Sequence, residues 1–262
     1  MTNSRLGTWR NPPLCYVVAE LAISPYYSMQ AAIPRLQDAL RKAYPRTLEG
    51  QELVVEAKPS AQPFWPVWRL VSADQQYGVQ LGTRAISLHV TSYLHSSDFL
   101  ARWAELLDSV SAANLGAYIE RAGLRYVDLI VPSEKHSPAD YLAHGLKGVT
   151  PEGAKPVGSM WAASFQFDGA LVNVRTAAPA PKGVLLPPDF NALPLQKPKI
   201  MVEAEKRMKD ELPIGFVDTD CGREVNQIFN SGQLVDIYGG MQKLASRTFS
   251  ALLSEIAKGE WH

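Results

Sequence analysis

Hydrophobic positions along the chain fall into two kinds of run. Leu14 to Ile23 is apolar on both faces and rich in valine, as a strand buried on both sides would be. Glu20 is its exception. Side chains alternate along a strand, so Glu20 shares a face with Leu14, Tyr16 and Val18. Met29, Ile33, Leu36 and Leu40 then recur at steps of four, three and four, one face of a helix. Pro34 sits inside that pattern, so the helix either starts near it or kinks there, and Pro45 ends it. Strands are predicted over Glu52 to Ala57 and Trp65 to Val71. Tyr77 to Leu81 and Ile86 to Val90 form a hairpin around Gly82-Thr83-Arg84. Asp98 to Asn114 is the strongest helical pattern, with Phe99, Leu100, Trp103, Leu106, Leu107 and Val110 as its stripe and Ser96, Ser97 and Asp98 as capping candidates.

A similar order follows. Tyr118 to Val131 reads as a strand and Pro138 to Leu146 as a short helix. Trp161 to Phe167 and Leu171 to Thr176 form a hairpin around Asp168-Gly169. Lys199 to Met208 and Gly215 to Asp218 read as strands, and Leu234 to Lys258 as a long C-terminal helix. Leu14-Cys15-Tyr16-Val17 is echoed by Leu124-Arg125-Tyr126-Val127. The expectation is an α+β fold of two similar β-α-β-β-β-α units, residues 1–116 and 117–262. Their sheet is mostly antiparallel and covered by helices on one face. Residues 179–198 are proline-rich yet carry Val184 to Leu186, Phe190 and Leu193, which predicts an ordered crossing loop of the kind that often serves function.

Charge and composition narrow the partners. Lys plus Arg and Asp plus Glu stand at 26 each in a chain of 262 residues. This balance weighs against a phosphate backbone or an anionic membrane as the main partner. With only two cysteines, Cys15 and Cys221, a disulfide scaffold is out and reduced thiols in a cytoplasm are expected. Residues 1–10 are polar rather than signal-like, and no apolar run reaches the ~18 residues of a membrane helix.

The chemistry-bearing residues point away from catalysis. His89 and His95, and His136 and His144, do not have metal-ligand spacing. Asp218-Thr219-Asp220-Cys221-Gly222 reads as an acidic turn before a magnesium site. There is no nucleophile elbow, no glycine-rich phosphate loop and no dinucleotide fingerprint, so no catalytic residue, metal or cofactor is assigned. Two groups remain. Trp65 and Trp68, three apart on a strand, face opposite sides and are candidate partner contacts. Arg125 and Asp128 interrupt an apolar strand, with Glu20 as the expected partner of Arg125 in a binding site or structural ion pair.

Three segments together resemble a sporadically distributed, functionally uncharacterised bacterial protein family. They are Asn11-Pro12-Pro13-Leu14 leading into Val17, Val18 and Glu20; Tyr93 followed by Phe99 and Trp103; and Arg121-Ala122-Gly123-Leu124-Arg125-Tyr126-Val127-Asp128. The family pattern has Asn where this chain has Asp128, and an aliphatic residue where it has Ala122. The resemblance brings no activity or cofactor. Its patchy occurrence implies lateral transfer, typical of defence modules and toxin neutralisers. The leading expectation is therefore a non-catalytic component that binds a protein partner or itself, such as a subunit or neutralising factor of a defence or toxin system. A second is a nucleic-acid component using Arg69, Arg84, Arg125 and Arg175. A third is a small-molecule-binding protein or enzyme with a pocket between the sheets, using Glu20, Arg125 and Asp128.

Overall fold

The structure is a computed structural model that describes residues 9–53 and 64–261. Its strands are β1 (Leu14–Ile23), β2 (Arg46–Leu53), β3 (Phe64–Val71), β4 (Tyr77–Gly82), β5 (Ala85–Val90), β6 (Tyr118–Ile130), β7 (Met160–Phe167), β8 (Ala170–Ala177) and β9 (Gly215–Ile228). Helices are α1 (Met29–Leu40), α2 (Ser96–Ala112), α3 (Lys199–Lys209), α4 (Ser231–Leu252) and α5 (Glu255–Trp261). The α+β expectation holds. All strands join one antiparallel nine-stranded sheet in the order β2-β3-β4-β5-β1-β6-β9-β8-β7. The two runs therefore meet edge to edge, along the long β1–β6 pair in which Val18 lies opposite Arg125 and Glu20 opposite Gly123.

Alternation along these strands sets two cores. Val17, Ala19, Leu21 and Ile23 of β1, with Ala122, Leu124 and Ile130 of β6, face helices α1, α2 and α4 in the larger core. The stripes of α2 and α4 meet there, with Trp103 and Tyr238 rings 4.9 Å apart. Leu234, Tyr238, Met241, Ala245, Thr248 and Leu252 repeat at steps of four and three and are all buried. On the other face Tyr16, Val127, Leu129, Ala177 and Phe216 pack under α3 and the proline-rich loop. No helix among the described residues is long and apolar enough to cross a membrane.

Several expected elements change. Lys199 to Met208 is the helix α3, not a strand, because Met201 and Ala204 lie one turn apart and both are buried against the sheet. Gly215 to Asp218 is only the start of β9, which runs on to Ile228. The cluster Asp218 to Gly222 is thus extended strand rather than a turn, paired with Gly123 to Val127 of β6. Pro138 to Leu146 forms two 3₁₀ turns, Pro138–Tyr141 and His144–Leu146. The C-terminal helix divides at Leu253 and Ser254, where Leu253 bridges to Leu142. The N-cap of α2 is His95, with no side-chain cap bond, so Ser96, Ser97 and Asp98 lie inside the helix. Helix α1 starts at Met29 and keeps Pro34 within it. β2 begins earlier than expected, and residues 54–57 of that expected strand lie outside the described residues.

Candidate functional site

The sheet carries polar residues on both faces, and the sequence-derived trio of Glu20, Arg125 and Asp128 is divided between them. Arg125 lies opposite Asp220, and Val127 opposite Asp218, so Arg125, Asp218 and Asp220 share the face away from α2 and α4. Arg175 lies opposite Asp218 from β8 on the same face. Arg125 donates from Nε to Asp218 Oδ1 at 2.7 Å and from Nη2 to Oδ2 at 3.0 Å. Arg175 donates from Nη2 to Asp218 Oδ2 at 2.6 Å. Both guanidiniums also reach Asp189 of the crossing loop, Arg175 at 2.8 Å and Arg125 at 3.3 Å. The partner of Arg125 is therefore Asp218, not Glu20. Asp218 and Glu20 both lie two residues along from the position opposite Arg125, on either side of β6, and it is Asp218 that receives both of its donors.

This cluster is a clamp for the loop rather than an open site. Phe190 lies under the Arg125 guanidinium at 4.9 Å and meets the Tyr16 ring edge-on at 5.0 Å. The backbone N–H of Leu193 donates to the Tyr16 hydroxyl at 2.9 Å. That hydroxyl is then free to donate to His89 Nδ1, 3.3 Å away, while His89 Nε2 donates to Ser87 Oγ at 2.9 Å. Burial holds the imidazole neutral, with its pKa lowered to about 3. The arginines proposed for phosphate contact are engaged within the protein: Arg125 and Arg175 here, Arg69 with Gln80 Oε1 at 3.0 Å, and Arg84 over the Trp65 ring.

The aromatic pair also separates as alternation demands. Trp68 is buried in the core under the helices and packs there rather than facing solvent. Trp65 is half-buried beside the exposed Tyr27, ring centroids 5.4 Å apart. Both thiols are buried. Burial and Asp220 push Cys221 up to about 12, and burial raises Cys15 well above its usual range, so neither is an activated nucleophile. Among the described residues no three His, Cys, Asp or Glu side chains gather as a metal site would require.

Asp128 sits on the opposite face, beneath α4. It belongs with Leu124 and Tyr126 on the inner face of β6 and is 4% exposed. Among the described residues it has no hydrogen-bond or ion-pair partner. Burial raises its carboxyl well above the ordinary range, and the Asp218 charge across the sheet adds to this. It lines a pocket of about 130 Å³ that opens to solvent. The sheet contributes Tyr126, Asp128 and Thr219, α4 contributes Gln242, Ala245, Ser246 and Phe249, and Ser96 begins α2 beside Tyr93 and Leu94. The Trp9 to Leu14 segment closes the remaining side through Trp9, Pro12, Pro13 and Leu14. Thr219 Oγ1 is buried there without a hydrogen-bond partner among the described residues, and the buried Tyr126 hydroxyl has the Tyr93 phenol as its polar neighbour. The Tyr93 and Tyr126 rings meet edge-on at 6.0 Å.

Sequence reasoning picked out Asp128 but missed its company. Strand parity alone puts Tyr126 beside it, whereas Thr219, Trp9 and Phe249 come from distant segments that no local pattern joins. Pro12 to Leu14, Tyr93, and Tyr126 with Asp128 come from three separate segments and all reach this pocket. Together the fold and site define an α+β protein with a continuous nine-stranded antiparallel sheet and a buried acidic pocket under its helical layer. No family model, curated protein or solved structure matches the chain.

Proposed function

We propose that the protein binds a small molecule in the pocket under α4. The observation that carries this reading is the convergence on one pocket of Asp128, a buried carboxyl with no ion-pair partner among the described residues, and Thr219 Oγ1, a buried hydroxyl with no hydrogen-bond partner among them. Buried polar groups are normally satisfied, and each orphan costs about 1–3 kcal/mol. A pocket with apolar walls and a few convergent polar groups at its base is what a ligand site requires. The pocket lies between the helical layer and the sheet, and Arg125 and Glu20 take no part in lining it. The test is a fragment screen by thermal shift, repeated with Ser246→Phe, which fills the pocket from its half-buried α4 wall. Fragments that raise the melting temperature of the parent chain but not of the variant support the reading. Fragments that act equally on both count against it.

A second reading, a protein partner, is favoured by β7. This strand is the end of the sheet, with Met160 64% and Phe165 37% exposed, and its neighbour Leu171 is 40% exposed. A long unpaired edge is a template for an added strand. Recovery of the chain alone and monomeric from its native host would count against it. An internal duplication fits the same frame. β1 pairs with β5 and then β4 and β3, while β6 pairs with β9 and then β8 and β7.

A further inference from the structure

We infer that the pocket takes a compact organic cation, an amine-bearing small molecule, with the Asp128 carboxylate as its counterion and Trp9, Tyr93, Tyr126 and Phe249 as aromatic walls. The inference rests on the pocket being a ligand site and names its chemistry. Three features carry it. First, among the described residues the only ionisable groups lining the pocket are Asp128 and the phenols Tyr93 and Tyr126; no Lys, Arg or His side chain among them does so. A bound anion would meet no countercharge. Second, Asp128 is a carboxyl without any cationic partner among the described residues, although the two arginines nearest in register are spent on Asp218 from the other face. Third, four aromatic rings line the pocket, and ring faces attract cations most strongly where water is excluded.

Other charges around the pocket do not reverse this preference. Asp98 lies in the first turn of α2 and offsets the positive end of that helix beside Ser96. From β9, Asp218 adds negative potential at Asp128. Lys243 and Arg247 of α4 are exposed and do not line the pocket. In the free protein burial favours the protonated form of Asp128. As the cation enters, the carboxyl releases that proton to the buffer and the carboxylate pairs with the ligand. Affinity for a permanent cation therefore rises with pH as Asp128 gives up its proton.

Three probes separate the possibilities: benzyltrimethylammonium, benzyl alcohol and phenylacetate, titrated into the full chain by calorimetry. The cation is expected to bind about tenfold or more tightly than the alcohol at pH 8. Its enthalpy should depend on the buffer as release of about one proton demands. Asp128→Asn should lower cation affinity about tenfold and abolish proton release, while benzyl alcohol still binds. Phe249→Leu keeps an apolar wall and should cost the cation about threefold. Equal affinity of cation and alcohol, tightest binding of phenylacetate, or an Asp128→Asn protein that binds the cation as the parent does would each overturn the inference and leave the pocket reading standing. If none of the three probes binds, both fall.

Discussion

Two aspartates on one pair of strands show how position decides the state of a carboxyl. Asp218 is 1% exposed, and its charge is met by Arg125 and Arg175. Removing one member of such a group leaves buried charge uncompensated, which typically costs about 3–5 kcal/mol. Asp218→Asn is expected to lose about that much stability in a denaturant titration. A loss under about 1 kcal/mol would mean that the cluster behaves like a surface ion pair. Asp128 is the converse case. Its folded pKa is raised, so the folded chain binds a proton that the unfolded chain releases above its own pKa of ~3.9. Native stability therefore falls as pH rises from about 4 through the raised value. Asp128→Asn removes this slope. The variant should gain melting temperature relative to the parent between pH 4 and pH 8, and a constant difference across that range would contradict a buried neutral acid.

At the scale of elements, the crossing loop is a strap laid over the outer face of the sheet. Its Asp189, Phe190 and Leu193 engage β6, β8 and β1, and the Leu193 and Leu195 side chains close on Gly78 of β4, where an added Cβ would lie 2.7 Å from Leu193 Cδ1. His89 supports the strap from β5 through Tyr16. Because its folded pKa of about 3 lies below the ordinary 6.5, the unfolded chain takes up a proton that the folded chain refuses. This stability is complete above pH 6.5 and drains away as pH falls towards 3, by an amount on the order of 4 kcal/mol. His89→Gln should unfold over a shallower acid range, followed by circular dichroism; an unchanged acid transition would show that His89 is already protonated in the fold. The strap was legible in the sequence as an ordered loop because Val184 to Leu186, Phe190 and Leu193 punctuate its prolines. Its anchors were not. Asp189 and Asp218 lie far along the chain from Arg125, and pairing across strands depends on register, which periodicity does not reveal. Helix α3 was misread for a related reason: Ile200 and Val202 suggest a strand locally, and only packing against the sheet brings out Met201 and Ala204 as the buried face.

For the whole molecule, two similar runs were legible, but their union was not. An alternating pattern says which residues of β1 and β6 face a core and is silent on whether the strands belong to one sheet. Here β1, the central strand, pairs with β6 beside it, joined from Leu14–Asp128 to Ile23–Ile119, so each half covers a strand edge of the other. The helical layer crosses the same seam, because α2 of the first run packs on α4 of the second and Tyr238 of α4 donates to the backbone oxygen of Glu20 in β1. Neither half keeps its core alone: residues 1–116 would expose the inner face of α2 and the edge of β1, and residues 117–262 would lose the partner of β6. Unpaired central strands with apolar faces aggregate rather than fold. The expectation is one cooperative thermal transition for the full chain, with calorimetric and van't Hoff enthalpies in agreement. The two fragments, expressed apart, should lack cooperative unfolding and regain it when mixed. Two separate transitions in the full chain, or a cooperative fragment on its own, would show that the seam between β1 and β6 joins independent domains. The pocket would then be altered as well, because Trp9 to Leu14 and Tyr93 come from the first run while Tyr126, Asp128, Thr219 and the α4 residues come from the second.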